Sequence, residues 1–219
     1  MTTVGFLTIG QAPRDDVTPE VLAHFSDVPD IIEAGALDQY ESAQAVEDEL
    51  SPDPGDPRYV TRMADGTSVT IRKHKVHELI QDRIQELESK VDVIGLLCTG
   101  SFPDYDTTVP LLKPSELLYS WASAISPETV GVLIPDPDQE EQTHDKWGDQ
   151  FEIIPLYADP YNADTSFEAA ASELQNGADL IIMDCIGYSE SMKRTVREGA
   201  DSPVLLGRSV LAKTAEEVL

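Results

Sequence analysis

Val91-Asp92-Val93-Ile94-Gly95-Leu96-Leu97-Cys98-Thr99-Gly100 is the stretch that decides the fold. Its Val, Ile and Leu run is apolar at almost every position, which marks a strand buried on both faces of a parallel sheet. Ala178-Asp179-Leu180-Ile181-Ile182-Met183-Asp184-Cys185-Ile186-Gly187-Tyr188 repeats the pattern. Each run ends on a cysteine followed by a short turn, and these are the only 2 cysteines of the chain. Ligands of open α/β sheets bind beyond the carboxyl ends of the strands. Two thiols are therefore expected at equivalent, ligand-facing positions in two halves of the protein.

Outward from these runs, strand and helix alternate. Residues 4–9 form a strand ended by Gly10, and Asp16 or Thr18 is placed to cap a helix carrying Val17, Val21, Leu22 and Phe25 on one face. A strand at 30–34, an acidic helical stretch at 37–50 and a Pro/Asp/Gly loop at 51–57 follow. Residues 59–63 and 68–72 flank Asp65-Gly66 as a β-hairpin. Val76, Leu79, Ile80, Ile84 and Leu87 line one side of an amphipathic helix. The connection 101–113, with Tyr105, Thr107 and Thr108, has a length often given to function. A helix at 114–125 takes Pro114 in its first turn.

The second half has strands at 129–134 and 151–157, an acidic helix at 139–147, and a helix at 166–175 stopped by Asn176-Gly177. The second cysteine strand, a helix at 189–198, a strand at 203–207 and a helix at 209–219 complete it. Val4-Gly5-Phe6-Leu7 is echoed by Val130-Gly131-Val132-Leu133, and Val91-Asp92-Val93 by Ala178-Asp179-Leu180. The pattern predicts an α/β protein of two pseudo-symmetric domains with parallel sheets and a cleft between them, a preferred place for ligands. The expected division is 1–125 with a hairpin insertion near 59–72, 126–206, and a C-terminal helix at 207–219 packing back on the first domain.

The charge narrows the function. Asp plus Glu number 41 against 15 Lys plus Arg, a formal net charge of -26. The acid is scattered along the chain, which suits a host with concentrated salt, where self-repulsion is screened within about 3 Å near 1 M. No basic stripe exists to release counterions from nucleic acid. No segment approaches the roughly 20 apolar residues of a membrane span, and no basic-then-apolar leader is present. The expectation is a cytoplasmic protein with reduced thiols, a small-molecule partner and a symmetric dimer as the default assembly.

Two cysteines at strand ends suggest proton transfer beside a carbonyl, with one thiolate removing the proton and the other thiol returning it from the opposite face. Turn N–H groups lower a thiol's pKa from about 8.5 toward neutrality. The alternative for each cysteine is a core-filling residue. Thr99, Gly100, Gly187, Tyr188 and Arg14 are the expected donors for a carboxylate or enolate. In Thr8-Ile9-Gly10-Gln11-Ala12-Pro13-Arg14, Gly10 and Gln11 form the turn and Arg14 is either an anion anchor or a surface arginine. Arg208 is either a substrate ligand or a charge at a helix start. His74 and His77 lack zinc spacing and are expected in a solvated or helix-entry role, His24 is expected on the surface of its helix, and His144 as a solvated partner of Asp or Glu in the acidic helix. Arg72, Lys73 and Lys75 are either ordinary surface or a lure for anions. Fingerprints for nicotinamide, ATP, flavin or serine-hydrolase chemistry are missing, and no cofactor or metal is expected.

Thr8-Ile9-Gly10-Gln11-Ala12-Pro13-Arg14-Asp15, Asp184-Cys185-Ile186-Gly187-Tyr188 and Pro203-Val204-Leu205-Leu206 resemble the AroM family, whose order of elements matches nearly the whole chain. That family is in turn similar to the aspartate/glutamate racemase superfamily. The resemblance implies two α/β domains with one catalytic cysteine each, here Cys98 and Cys185, and no cofactor. The chain departs from the racemases at Cys98-Thr99-Gly100, where Cys-Asn-Thr is usual, and at Asp184-Cys185-Ile186-Gly187, where Gly-Cys-Thr is usual. The expected function is a racemase or isomerase acting on a small carboxylate or cyclic amide. The alternatives are a single-cysteine lyase or decarboxylase, and a non-catalytic small-molecule-binding regulatory protein.

Overall fold

The computed structural model describes residues 2–174 and 177–219. The chain divides into two compact units, one reaching to Lys113 and including Thr214–Leu219, the other Pro114–Lys213.

In the first unit, β1 (Thr3–Thr8), α1 (Thr18–Leu22), β2 (Asp30–Gly35) and α2 (Ala43–Leu50) lead into a hairpin of β3 (Arg58–Arg62) and β4 (Ser68–Arg72). Then come α3 (Lys73–Leu87), β5 (Val93–Leu96) and β6 (Leu111–Leu112). The main sheet has the order β2-β1-β5-β6, and every pair is parallel. Val76, Ile80 and Ile84 of α3 are wholly buried in the same cluster as Leu7, Ile71, Ile94 and Leu96. Burial of each such side chain contributes about 1.5–3 kcal/mol.

The second unit contains α4 (Pro114–Ile125), β7 (Thr129–Ile134), a 3-10 turn (Pro137–Gln139), α5 (Glu140–Trp147) and β8 (Glu152–Tyr157). It continues with α6 (Phe167–Glu173), β9 (Leu180–Met183), α7 (Glu190–Ala200) and β10 (Val204–Leu206); α8 (Gly207–Val218) closes the chain, its residues to Lys213 counted in this unit and those from Thr214 in the first. Its sheet order is β8-β7-β9-β10, again all parallel. Both sheets thus place their strands in the spatial order second, first, third, fourth. Leu118 and Ala122 of α4 share a core cluster with Val130, Val132 and Trp147.

The internal echo extends to individual bonds. Asp92, just before β5, accepts from the Thr3 N–H at 2.7 Å; Asp179, just before β9, accepts from the Thr129 N–H at 2.9 Å. The N–H of Leu97 donates to Leu7 O at 2.7 Å, and that of Asp184 to Leu133 O at 2.9 Å. Each cysteine strand is therefore pinned at both ends to the opening strand of its own sheet.

Several local expectations change. Neither Asp16 nor Thr18 caps α1; Val17 occupies the cap, because Asp16 is paired with Arg14. The helix expected from residue 37 starts only at Ala43, under a cap from Ser42. Asp38 instead accepts from the N–H groups of Gly35 at 2.7 Å and Ala12 at 2.8 Å, which holds a turn there. The long connection 101–113 contains the short strand β6. The helix start expected at 166 is a cap, where Ser166 accepts from Ala169 N at 3.1 Å, and the helix ends at Glu173 with Leu174 as its cap, whose carbonyl accepts from the Gly177 N–H at 2.8 Å; Asn176 of the expected stop lies outside the described residues. No helix among the described residues is long and apolar enough to cross a membrane.

Candidate functional site

Cys98 and Cys185 stand two positions beyond the ends of β5 and β9, the third strand of each sheet. Both thiols are half-buried. The N–H of Gly100 points at the Cys98 sulfur, with N to Sγ at 3.4 Å, and the N–H of Gly187 does the same at Cys185, also at 3.4 Å. Each turn therefore offers its thiol a donor that favours the thiolate.

A tyrosine covers each of these glycines. A Cβ on Gly100 would lie 2.9 Å from Tyr59 Cε1 and 3.5 Å from Cys98 Sγ; one on Gly187 would lie 2.6 Å from the Tyr161 hydroxyl. A side chain at either place would have to displace the tyrosine that covers it.

Around Cys98 the hairpin, α3 and the long connection contribute an aromatic group. The Tyr59 hydroxyl donates to Ser101 O at 2.7 Å and lies 3.0 Å from His77 Nε2. Tyr59 has one proton to give, so with that proton on Ser101 the His77 Nε2–H is the donor to Tyr59. Tyr59 stacks on Phe102 at 5.4 Å, and Tyr105 meets His77 edge-on at 6.3 Å. Burial, and then the negative charge of a Cys98 thiolate, push both phenols well above their ordinary pKa. They stay protonated beside the thiol. Of this group, the sequence reading named Tyr105 only for the length of its loop and placed His77 at a solvated helix entry; Tyr59 was missed. The burial of His77 reflects its position one residue past the buried Val76, facing the hairpin that the same sequence announces. Lys113, after β6, is 6% exposed and reaches Asp104 at 3.1 Å and Pro103 O at 3.4 Å.

Around Cys185 the contacts are more polar. Asp184 is 7% exposed; Lys146 Nζ lies 2.8 Å from each of its carboxylate oxygens, and Trp147 Nε1 donates to it at 2.9 Å. Arg208, 3% exposed, donates from Nε to Ile186 O at 2.7 Å and from Nη2 to Gly187 O at 3.0 Å. It grips the turn after Cys185, whereas the sequence left it between a substrate ligand and a simple helix-start charge. Tyr188, expected among the donors, is fully buried and gives its hydroxyl proton to Ala158 O at 2.8 Å, so it braces the core. Thr99 is 5% exposed.

The family model described as AroM protein matches residues 4–219. The chain belongs to the AroM family. No curated protein matches its sequence. Solved structures do match this AroM chain in fold. An aspartate racemase from Picrophilus torridus is 12% identical, with 99% of this chain and 94% of that one covered and a TM-score of 0.62. An unliganded arylmalonate decarboxylase is 14% identical, with 100% and 92% covered and a TM-score of 0.62. An allantoin racemase from Klebsiella pneumoniae is 12% identical, with 100% and 87% covered and a TM-score of 0.64. The AroM chain thus has the fold of aspartate/glutamate racemase-type proteins.

The opening motif of the AroM chain is built into its own unit. Arg14 is 5% exposed, which removes the alternative of a surface arginine. It forms a two-pronged pair with Asp16, Nε to Oδ1 and Nη2 to Oδ2 both at 2.7 Å, and donates from Nη1 to Thr8 Oγ1 at 3.2 Å. Its guanidinium is thus held by a carboxylate of its own chain. Gln11 donates to Tyr40 O at 2.7 Å and accepts from Ala64 N at 2.9 Å, tying the hairpin to the loop after β2. A Cβ on Gly10 would collide with Arg62 O and lie 2.6 Å from Thr61 Oγ1. Arg72 pairs with Asp53 and Asp56, both at 3.2 Å, and Lys75 with Glu78 at 2.9 Å, so these two members of the basic cluster have acidic partners. Lys73 Nζ lies 5.2 Å from the Tyr59 ring centre. His74 and His144 are exposed and His24 is half-buried. Among the described residues no group of three or more His, Cys, Asp or Glu is placed to hold a metal.

Proposed function

We propose that this chain is a racemase- or isomerase-like enzyme that transfers a proton at the carbon beside the carbonyl of a small carboxylate or cyclic amide. Cys98 and Cys185 serve as its acid and base. One thiolate takes the proton, an enolate forms, and the other thiol delivers a proton to the opposite face. The reading calls for no cofactor. One observation carries it: both thiols stand at the same place in two sheets of the same topology, each 3.4 Å from the N–H of the glycine two residues on. The names of the fold relatives support the substrate class, since they include an aspartate racemase and an allantoin racemase.

The decarboxylase among the relatives favours a second reading, in which one thiol alone protonates an enolate after loss of carbon dioxide. One experiment separates the readings. Amino acids, allantoin-like cyclic amides and 2-substituted acids are incubated with the chain in deuterated buffer at high salt. Interconversion of enantiomers, with deuterium entering the product, that is abolished by either Cys98→Ser or Cys185→Ser supports two-thiol transfer. Activity surviving Cys98→Ser but lost in Cys185→Ser supports the single-thiol reaction. Binding that survives both substitutions, without deuterium entry, overturns both in favour of a binding protein.

A further inference from the structure

The bond that Gly187 N–H makes to the Cys185 sulfur belongs to a longer chain of donors. The N–H of Gly187 and the carbonyl of Ile186 are the two ends of one peptide group. That group donates to Cys185 Sγ at 3.4 Å and accepts from Arg208 Nε at 2.7 Å. In a trans peptide the C=O and N–H point in opposite directions, so the guanidinium and the sulfur sit at opposite poles of one dipole. A cation at the carbonyl pole polarises the amide and makes its N–H a stronger donor, and linked hydrogen bonds of this kind reinforce one another in a low-dielectric interior. The second donation, Nη2 to Gly187 O at 3.0 Å, fixes the plane of the next peptide as well.

We propose that Arg208 is a positioning residue for Cys185, stabilising its thiolate through the Ile186–Gly187 peptide. The proposal deepens the two-thiol reading, yet it concerns the resting thiol and needs no substrate.

The surrounding groups leave room for this effect. Asp184 would oppose a thiolate next to it, but its carboxylate is paired with Lys146 from α5 and bonded to Trp147. Asp159, on the segment after β8, accepts from the Tyr161 N–H at 2.8 Å. Tyr188 is held protonated by burial first, and then by the charges of Cys185, Asp184 and Asp159. Tyr161 lies over Gly187, and Met192 of α7 packs in the same cluster as Cys185. Arg208 brings the cation that acts on the donor peptide itself. In the first unit the buried cation after the fourth strand, Lys113, contacts Pro103 and Asp104, further along the chain than the Thr99–Gly100 peptide.

The test is iodoacetamide alkylation of the full chain from pH 5 to 10, read at each cysteine by mass spectrometry. In the unaltered chain the Cys185 midpoint is expected below the ordinary thiol value of about 8.5; a midpoint at or above that value overturns the proposal. In Arg208→Gln, alkylation of Cys185 at neutral pH is expected to slow about tenfold, equivalent to a midpoint about one unit higher. Arg208→Lys, which keeps the charge without the fork, should recover part of that loss. Cys98 in the same digests is the internal control. A folded Arg208→Gln chain with an unmoved Cys185 midpoint, or one in which both cysteines shift equally, overturns the proposal. Loss of deuterium exchange without these alkylation changes would bear on the two-thiol reaction alone.

Discussion

Lys146 holds its ammonium 2.8 Å from both carboxylate oxygens of Asp184, the residue immediately before Cys185. The pair is largely buried, at 15% and 7% exposure, and it ties the last turn of α5 to the end of β9. Removing one partner leaves the other charge buried without compensation. Lys146→Met or Asp184→Asn is therefore expected to destabilise the chain by about 3–5 kcal/mol. Urea unfolding measures it, and the double variant should recover part of the loss.

Tyr59→Phe deletes the hydroxyl that joins the hairpin to Ser101 O and His77. The expected cost is about 1 kcal/mol, a typical net hydrogen-bond contribution. Loosening the 99–105 segment should also speed alkylation of Cys98 while leaving Cys185 unchanged. Equal rates at Cys98 in variant and parent would show that the hydroxyl does not hold the turn.

His77 has its pKa lowered below 6.5, first by burial and then by Lys73 and His74. The unfolded chain therefore binds a proton at higher pH than the folded one. Stability from this group is present above about pH 6.5 and is lost as pH falls through the folded value. His77→Gln should flatten the part of the stability profile between pH 7 and 5 that belongs to this residue. Parallel urea midpoints for variant and parent across that range would contradict the assignment.

Gly10→Ala places a methyl group against Arg62 O and Thr61 Oγ1, both on β3. The hairpin must shift to admit it, and the overpacking cost is about 1–3 kcal/mol. Thermal unfolding tests this, and an unchanged midpoint would mean that the hairpin yields without resistance.

The formal net charge of -26 predicts a salt response. Between 0.1 M and 1 M salt the screening length falls from about 10 Å to about 3 Å. The unfolding temperature should rise across that interval in potassium chloride. A flat or falling curve would argue against the high-salt host inferred from the scattered acid.

Much of the frame is legible along the chain. Val93, Ile94 and Leu96 read as a buried parallel strand and form one, and β7 and α4 begin and end where their apolar patterns and Pro114 place them. The echo of Val91-Asp92-Val93 in Ala178-Asp179-Leu180 is the trace of matched aspartate hooks onto Thr3 and Thr129. Helix starts were less legible where a side chain had a distant partner. Asp16 looks like a cap until Arg14 takes its carboxylate, and the stretch from 37 looks helical until Asp38 holds a turn with Gly35 and Ala12.

Periodicity and composition by themselves determined the strand and helix alternation, the parallel sheets and the placing of both cysteines at strand ends, because burial on both faces leaves an unmistakable run of apolar residues. Tertiary structure alone decided which polar groups face those thiols. Tyr59 reaches Ser101, Lys146 reaches Asp184, Arg208 reaches Ile186, and Arg14 turns to Asp16. The first three of these bonds join residues far apart in the chain, and all four depend on where a flexible side chain finds a buried partner. A buried charge or donor must be satisfied wherever the fold brings a partner near, and local spacing carries no record of that.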